Sequence, residues 1–372
     1  MSPKSKQHSE SEQMIREVDN FVDGLSKAAK TKLRMPTDFN TMCICGMGGS
    51  GFSGDIIADV LPELWNIPVK VVKSISIPNW VNDKTMVVVS SYSGNTKETL
   101  MMYDQAVKRG CKIVAITSGG ELRDKCMTDG NKLIEVPTNI QPRSSIGYTI
   151  GYLANIVETV GGPKVKSDML RSISALRKYR GKVWMRNPET PAKKIAERIH
   201  GKVPAIYAPV SLSTAALRWK NQMNENSKII AFSGTIPELN HNEIVGWSGM
   251  STVSSCLPVI IYEDGLPYAD TLMMTETIEK MRSSGLDPEI IKIDGRTELE
   301  RSLKAIMLGD YVSLFLARMN GVDPEDVEPI KNFKQRVAEL LSGLIKHDGQ
   351  DKKHDKPKKK KGKKKENKEE ET

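Results

Sequence analysis

The sequence has few aromatic residues, few cysteines and no long apolar run. Of its 372 residues, 5% are aromatic and 5 are cysteines. An odd and sparse set of cysteines argues for reduced thiols rather than a disulfide framework. No apolar run approaches the roughly 20 residues that a membrane helix needs, and residues 1–20 lack the apolar stretch of a signal peptide. We therefore expect a cytoplasmic protein with no membrane partner.

Metal-ligand clusters are also scarce. Cys43 and Cys45 have the spacing of a metal pair, but they alternate with apolar residues in a strand-like run, and no second pair stands at zinc spacing. His200 and His241 are the two histidines inside the predicted globular region, 41 positions apart. A zinc site built from histidines and carboxylates is not expected from this set. We predict no metal and no cofactor.

The positive charge is concentrated at the end of the chain. The formal net charge is +9, and residues 347–372 contribute +4 of it, with eleven lysines against seven acidic residues. This segment has no apolar side chain large enough to bury, so we predict a disordered tail. A solvated tail is favoured over a nucleic-acid or membrane-surface role, and its partner is unknown. The remaining residues are only mildly basic.

Short apolar runs alternate with helical patterns through most of the chain. Runs that are apolar throughout and bounded by turn residues are typical of strands buried on both faces. Their alternation with helices predicts an α/β fold with two doubly wound, mostly parallel sheets, followed by C-terminal helices. The predicted strands are Met42–Cys45, Val69–Val72, Thr85–Ser90, Lys112–Ile116 and Lys132–Val136, then Val203–Ala208, Lys228–Phe232, Val259–Tyr262 and Glu289–Ile293.

Breaks in this alternation predict the domain organisation. Residues 1–40 form a polar segment with one amphipathic helix near Met14–Leu33. A first α/β domain covers 41–160, and a helical connection covers 161–202, where two glycines and a proline interrupt the pattern. A second α/β domain with the C-terminal helices covers 203–346, and the charged tail covers 347–372.

A glycine-rich loop follows the first predicted strand. The run Gly46-Met47-Gly48-Gly49-Ser50-Gly51 satisfies the dinucleotide-binding spacing between a strand and a helix. That class of site also needs an acidic residue about 20 positions later to hold the ribose hydroxyls. The corresponding stretch offers Lys70 and Lys73 and no carboxylate. A nicotinamide-dependent oxidoreductase is therefore only a third-choice interpretation.

A second polar loop follows the third predicted strand. The run Ser90-Ser91-Tyr92-Ser93-Gly94-Asn95-Thr96 ends where a helix begins. Hydroxyls and free backbone amides at a helix N-terminus attract anions, because the helix dipole favours negative charge there. The alternative is an ordinary helix cap by serine or threonine. For this cluster opposite a glycine-rich loop we favour binding of a terminal phosphate, held by Gly49, Ser50, Ser91, Ser93 and Thr96.

These two loops resemble the sugar isomerase (SIS) domain, which binds phosphosugars at the carboxyl ends of a parallel sheet. Three later segments are similar to signature segments of the bifunctional phosphoglucose/phosphomannose isomerases, in the order of that family. They are Gln-Pro-Arg-Ser-Ser-Ile-Gly-Tyr at 141–148, Arg-Trp-Lys-Asn-Gln-Met-Asn-Glu-Asn-Ser-Lys at 218–228 and Pro-Glu-Leu-Asn-His-Asn-Glu-Ile-Val-Gly-Trp at 237–247. The resemblance covers roughly 46–340 and leaves the tail outside the pattern.

The resemblance implies metal-free isomerisation of hexose 6-phosphates by a homodimer with shared sites. An aldose–ketose isomerase needs a carboxylate base, a group that opens the sugar ring and a cation near the enediolate oxygen. The family pattern gives these roles to Glu225, to His241 reaching the partner subunit's site, and to Arg143. A catalytic lysine corresponds to Lys334, with Lys331 as the open alternative.

A non-catalytic sugar-phosphate-binding module is the second interpretation, since the same domain occurs in regulators. Such regulators carry a helix-turn-helix domain first, whereas about 40 residues precede the first strand here. Matching segments that contain Glu225 and His241 favour the enzyme. The preference between glucose and mannose phosphates stays open.

Overall fold

The computed structural model describes residues 12–62, 64–138, 140, 145–249, 255–337 and 339–340. The chain divides into two compact units, residues 1–326 and residues 327–372. The first unit contains both sheets. In the second unit, residues 328–337 form a helix. The predicted disordered tail, 347–372, lies outside the described residues.

The first sheet is parallel and buried between helices. Its strands are β1 (Thr41–Gly46), β2 (Val69–Val72), β3 (Thr85–Ser90), β4 (Lys112–Thr117) and β5 (Lys132–Glu135), in the order β2-β1-β3-β4-β5. β1 and β3 are almost entirely buried, because their apolar, partly β-branched residues are covered on both faces. Every neighbouring pair is parallel.

Helices pack around this sheet, and three more helices follow its last strand in the sequence. They are α1 (residues 12–19), α2 (Phe21–Lys30), α3 (Gly48–Asp59), α4 (Lys97–Lys108), α5 (Gly120–Thr128), α6 (Ile146–Thr159), α7 (Val165–Val183) and α8 (Pro191–Ile199). The single helix predicted near Met14–Leu33 is wrong in one respect. Asn20, at φ −81° and ψ −4°, ends α1 in a turn, and a second helix starts at Phe21.

The second sheet has the same strand order as β1 to β4 of the first sheet. Its strands are β6 (Val203–Pro209), β7 (Phe232–Ile236), β8 (Cys256–Glu263) and β9 (Glu289–Ile293), in the parallel order β7-β6-β8-β9. The accompanying helices are α9 (Ser213–Ser227), α10 (Glu243–Trp247), α11 (Tyr268–Ser283) and α12 (Glu298–Met319), with 3₁₀ turns at Val210–Leu212 and Glu238–His241. The predicted α/β class with two parallel sheets is confirmed.

One predicted strand is displaced. We expected Lys228–Phe232, but the strand begins only at Phe232. Lys228 adopts a left-handed conformation, φ +57°, and ends α9. The side-chain carbonyl of Asn224 then accepts the backbone amide of Ala231 at 3.1 Å, so residues 229–231 cap the helix instead of joining the sheet.

The long helix α12 joins the two halves of the first unit. Most of its residues from Leu299 to Ala317 are buried, and it packs against α7, α8, α9 and α3. The two sheets therefore share one continuous hydrophobic core. The domain boundaries at 160 and 203 stay a prediction.

Among the described residues, no helix is long and apolar enough to cross a membrane. Cys43 and Cys45 are fully buried in β1, and the hydrogen bond between them, together with burial, raises the pKa of the Cys45 thiol. Both cysteines are therefore core residues. A thiol whose pKa is raised, such as that of Cys45, is also a poor metal ligand at neutral pH.

Candidate active site

The two polar loops lie side by side because of strand register. β1 and β3 are adjacent and parallel, and Gly46 pairs with Ser90 at their carboxyl ends. The loops that follow therefore leave the sheet at the same edge. A side chain at Gly46 would meet the Ser90 carbonyl at 3.0 Å, and one at Gly51 would meet the Gly46 carbonyl at 2.6 Å. Glycine is needed here for close backbone approach.

The second loop is fixed by the loop after β4. Gly94 has φ +69° and lies so close to Gly119 that an added Cβ would stand 1.8 Å from the Gly119 carbonyl oxygen. Ser91 donates its backbone amide to Ile116 at 3.0 Å, and the amide of Glu121 donates to the Asn95 side chain at 3.0 Å. The loop conformation is thus held by contacts within the protein, independently of any ligand.

Thr96 occupies the N-cap of α4, yet its hydroxyl makes no capping hydrogen bond. Instead it lies 3.3 Å from the Ser91 hydroxyl. An ordinary cap would use this hydroxyl for a backbone amide of the first helical turn. The first-turn amides and the paired hydroxyls are therefore available to an anion, which favours binding over capping for this loop.

The end of β2 carries the wrong charge for a dinucleotide. Dinucleotide-binding folds place an acidic residue there to hold the ribose. Here Lys73 follows β2 and forms an ion pair with Asp55 of α3, and its side chain packs beside Gly51. This arrangement disfavours the nicotinamide interpretation.

Helix α9, which carries Glu225, runs antiparallel to α3. Near the start of α9, Thr214 hydrogen-bonds Asp59 at the end of α3. One turn later, the guanidinium of Arg218 stands 5.3 Å from the ring centroid of Phe52, in the first turns of α3. Continuing to Glu225 adds about 10 Å at 1.5 Å per residue, whereas α3 begins only about 6 Å before Phe52, so Glu225 lies a few ångströms beyond the N-terminal end of α3.

The C-terminal end of α9 is pinned to α12. Asn226 donates its side-chain amide to the Ser313 hydroxyl at 2.8 Å, and the Ser227 hydroxyl donates to the Ser313 carbonyl at 2.8 Å. Asn320 donates to the Ser227 carbonyl at 2.9 Å. Glu225 itself is half-buried. Its backbone is therefore held in place by α12, as the precise positioning of a functional side chain requires.

His241 lies at the other end of α9. It closes the 3₁₀ turn after β7, and Ile236 of β7 pairs with Pro209, just before α9 begins. The length of α9 from Ser213 to Glu225 is about 18 Å. His241 is exposed. Within one chain, the proposed base and the proposed ring-opening group are thus on opposite sides of the second half.

The segment that carries His241 is nevertheless well ordered by its neighbours. Tyr207 of β6 donates its hydroxyl to Glu243, and the Trp247 indole donates to the same hydroxyl at 3.0 Å. Burial and the Glu243 carboxylate raise the pKa of Tyr207. The turn that carries His241 is therefore held in one conformation, and in that conformation the His241 side chain is exposed.

The remaining predicted catalytic residues belong to other parts of the chain. Arg143 lies outside the described residues. Lys331 and Lys334 are exposed on the helix 328–337, which belongs to the second unit. Among the described residues, no cluster of three or more His, Cys, Asp or Glu could hold a metal ion.

Sequence reasoning missed Gln222, which lies three residues before Glu225. Its side chain is fully buried. Among the described residues, neither its amide nitrogen nor its amide oxygen has a hydrogen-bond partner. The clue in the sequence is the spacing to Glu225, which puts both side chains on one side of α9.

A polar cavity of about 310 Å³ lies between the C-terminal half of α3 and the middle of β7. It is lined by Asp55, Asp59 and Lys73 from the first half and by Ser213, Thr214 and Thr235 from the second. Burial raises the pKa of Asp59 to about 6, against the opposing hydrogen bond from Thr214, and the neighbouring Asp55 adds to the rise.

Asp59→Asn should stabilise the protein at pH 8 and not at pH 4. The folded protein holds the Asp59 proton more tightly than the unfolded chain does, so this stabilisation is complete below about pH 4 and is lost as the pH rises through about 6. Removing the charge should restore about 1 to 3 kcal/mol at pH 8, since one pKa unit corresponds to about 1.4 kcal/mol. Urea unfolding at both pH values measures this. Asp124→Asn, at an exposed site, is the control, and an equal gain in both variants would contradict the assignment.

Two family models match the two halves of the chain. Residues 37–128 match the SIS domain, and residues 188–337 match the bacterial phospho-glucose isomerase C-terminal SIS domain. A bifunctional phosphoglucose/phosphomannose isomerase of Caldicellulosiruptor bescii is 35% identical over 340 residues, covering 88% of this chain and 99% of that protein. The enzyme of that name from Aquifex aeolicus is 33% identical over 304 residues, covering 81% and 91%.

A solved structure supports the fold alone. A hypothetical protein of Thermus thermophilus superposes with a TM-score of 0.69, at 14% identity, covering 91% of this chain and 95% of that one. The identity to the two enzymes, spread over nearly their whole length, carries the assignment: this chain is a member of the bifunctional phosphoglucose/phosphomannose isomerase family.

Proposed function

We propose that the protein interconverts glucose 6-phosphate and mannose 6-phosphate with fructose 6-phosphate through a cis-enediol, without a metal. The observation that supports this proposal is the course of α9, the helix of Glu225, which runs beside α3 and past its N-terminal end, where the glycine-rich loop lies. This reaction needs a site that holds the phosphate, here the two loops, and a carboxylate base close to C2.

In this mechanism the phosphate stays in the loops while the other end of the sugar reacts. Gly49, Ser50, Ser91, Ser93 and Thr96 hold the phosphate through amides and hydroxyls. His241 opens the ring, and Glu225 then transfers the proton between C2 and C1. Arg143 stabilises the enediolate oxygen, and Lys334 is the further catalytic cation. Preorganised charge at the developing oxyanion lowers the barrier without rearrangement.

Replacing Thr96 with alanine should mainly raise KM. The Thr96 hydroxyl, which makes no capping bond, contacts the phosphate in both the ground state and the transition state, so its loss weakens binding uniformly. A hydrogen bond to a charged group is worth about 1.5 to 3 kcal/mol, which corresponds to roughly 10- to 150-fold in KM. Steady-state kinetics with both aldose phosphates measures this. An unchanged KM in a folded variant would count against the phosphate loop.

We propose further that the working enzyme is a homodimer in which each site takes His241 from the partner subunit. Glu225 and His241 lie at opposite ends of α9 in one chain, so one hexose phosphate cannot meet both without a second copy. Exposed apolar side chains follow the strands at the carboxyl edge of the second sheet, the edge that also carries His241, and such side chains are typical of interfaces. They are Val210, Val245 and Tyr268, which are 64%, 74% and 83% exposed.

Mixing two inactive variants tests the shared site. Glu225→Gln and His241→Ala subunits should each be inactive alone and recover part of the wild-type activity after exchange, because one site of the mixed dimer keeps both groups. Up to about one quarter of the activity should return for random pairing of equal amounts. No recovery, despite subunit exchange demonstrated by differential labelling, would mean that each site is built within one chain.

The activity itself is tested by fructose 6-phosphate formation from each aldose phosphate, with chelator present. We expect turnover of both substrates. A protein that binds hexose 6-phosphates tightly but forms no product would be the sensing module instead, and reduction of added nicotinamide cofactor would revive the oxidoreductase interpretation.

A further inference from the structure

Gln222 is an exception among the polar side chains of α9. It is fully buried, and within the described part of the chain its amide has neither a donor nor an acceptor partner. Its neighbours on the same side of the helix are all satisfied. Arg218 bonds Asp310 at 3.1 Å, Trp219 donates to Ala305 at 2.7 Å and Asn226 donates to Ser313 at 2.8 Å.

The position of Gln222 on the helix places it between two parts of the site. At 100° per residue, Arg218 and Glu225 lie about 40° and 60° to one side of Gln222, while Asn226 lies about 40° to the other. Arg218 faces Phe52, two residues after Ser50 of the glycine-rich loop. Along the axis, Gln222 is about 6 Å beyond Arg218 and about 4.5 Å before Glu225. It therefore stands between the phosphate end and the base.

An unpaired amide in such a place destabilises the free protein. Burying a polar group without a partner forfeits its hydrogen bonds to water, whereas an apolar residue of the same shape would lose nothing. Buried polar atoms in folded proteins almost always have partners. Rule violations of this kind are expected at functional sites, where a bound ligand is one source of the missing partner.

We infer that the Gln222 amide binds the hydroxyl groups in the middle of the opened sugar, between the anchored phosphate and C2. This inference rests on the proposed function, since it needs a hexose phosphate that reaches from the two loops to the base. A hydroxyl both donates and accepts, which matches the paired donor and acceptor of an amide. Gln222 then selects polyhydroxy chains over inorganic phosphate or shorter phosphate esters.

Gln222→Met tests the inference, because methionine has nearly the same shape and no hydrogen-bonding group. The variant should lower kcat/KM for both aldose phosphates about 10- to 100-fold, yet keep or raise the thermal midpoint by about 2 to 4 °C. Asn226→Leu is the matched control on the same helix. Its amide is already bonded to Ser313, so that variant should lower the thermal midpoint.

Two ligands separate the sugar contact from the phosphate contact. In wild type, both orthophosphate and 6-phosphogluconate should raise the thermal midpoint. In Gln222→Met, stabilisation by orthophosphate should be unchanged, while stabilisation by 6-phosphogluconate should require about 10-fold more ligand. A structural role for Gln222 would not produce this difference.

The inference is overturned if Gln222→Met is destabilised or fails to fold, because the amide would then be bonded within the protein. It is also overturned if the variant keeps wild-type kinetics and wild-type response to 6-phosphogluconate. Failure of the proposed function looks different: the wild type itself would then form no fructose 6-phosphate.

Discussion

Glu225→Gln should reduce kcat by about 10²- to 10⁴-fold on glucose 6-phosphate and on mannose 6-phosphate alike. The two aldoses differ at C2, the carbon that loses its proton, so one fixed carboxylate must meet that hydrogen from opposite faces. Rotation about the C2–C3 bond of the opened sugar presents either face while the phosphate stays in its loop. The rigid attachment of α9 to α12 keeps the carboxylate in one place during this rotation.

Steady-state assays on both substrates measure this loss, with Glu238→Gln as control. Glu238 is an exposed carboxylate in the His241 segment, and its replacement should leave kcat near wild type. A Glu225→Gln enzyme that keeps one activity while losing the other would contradict a shared base. In that case Glu238 or Glu243 would be the next candidate.

The second large effect is the loss of stability expected when the ion pair between α9 and α12 is broken. Arg218 and Asp310 form a buried ion pair at 3.1 Å, with side chains 6% and 5% exposed. Removing one partner of such a pair leaves an uncompensated charge and costs about 3 to 5 kcal/mol. Asp310→Leu should therefore lower the free energy of unfolding by that amount.

Replacing both partners separates the charge from the packing. The double variant Arg218→Met, Asp310→Leu should regain much of the lost stability, because no charge then remains buried. Urea unfolding of the two single variants and the double variant gives the coupling between them. If Asp310→Leu alone is as stable as wild type, the ion pair does not hold α9 against α12.

The sequence was informative wherever local pattern decides structure. Apolar runs bounded by glycine and serine predicted the strands within a few residues, because buried parallel strands leave a continuous apolar signal. The two loops were recognisable because their hydroxyls and glycines stand at strand ends. The displaced β7 shows the limit: Lys228 and Asn224 extend the cap of α9 through a local hydrogen bond that apolar periodicity cannot reveal.

The relations between distant segments could not be predicted from pattern alone. The contact between Arg218 and Phe52, which packs α9 against α3, joins residues 166 positions apart. Likewise, the separation of Glu225 from His241 follows from the direction of α9 relative to β7, not from their closeness in sequence. Gln222 looks like an ordinary helical residue until its burial without a partner is known.

The most direct test of the central claim is a competition experiment, because the claim is that one site isomerises both sugars. Wild-type enzyme would be supplied with glucose 6-phosphate and mannose 6-phosphate together, and the rate of disappearance of each would be followed. A single site predicts that each sugar inhibits the other competitively, with an inhibition constant equal to its own KM. Two additive, independent rates would contradict it.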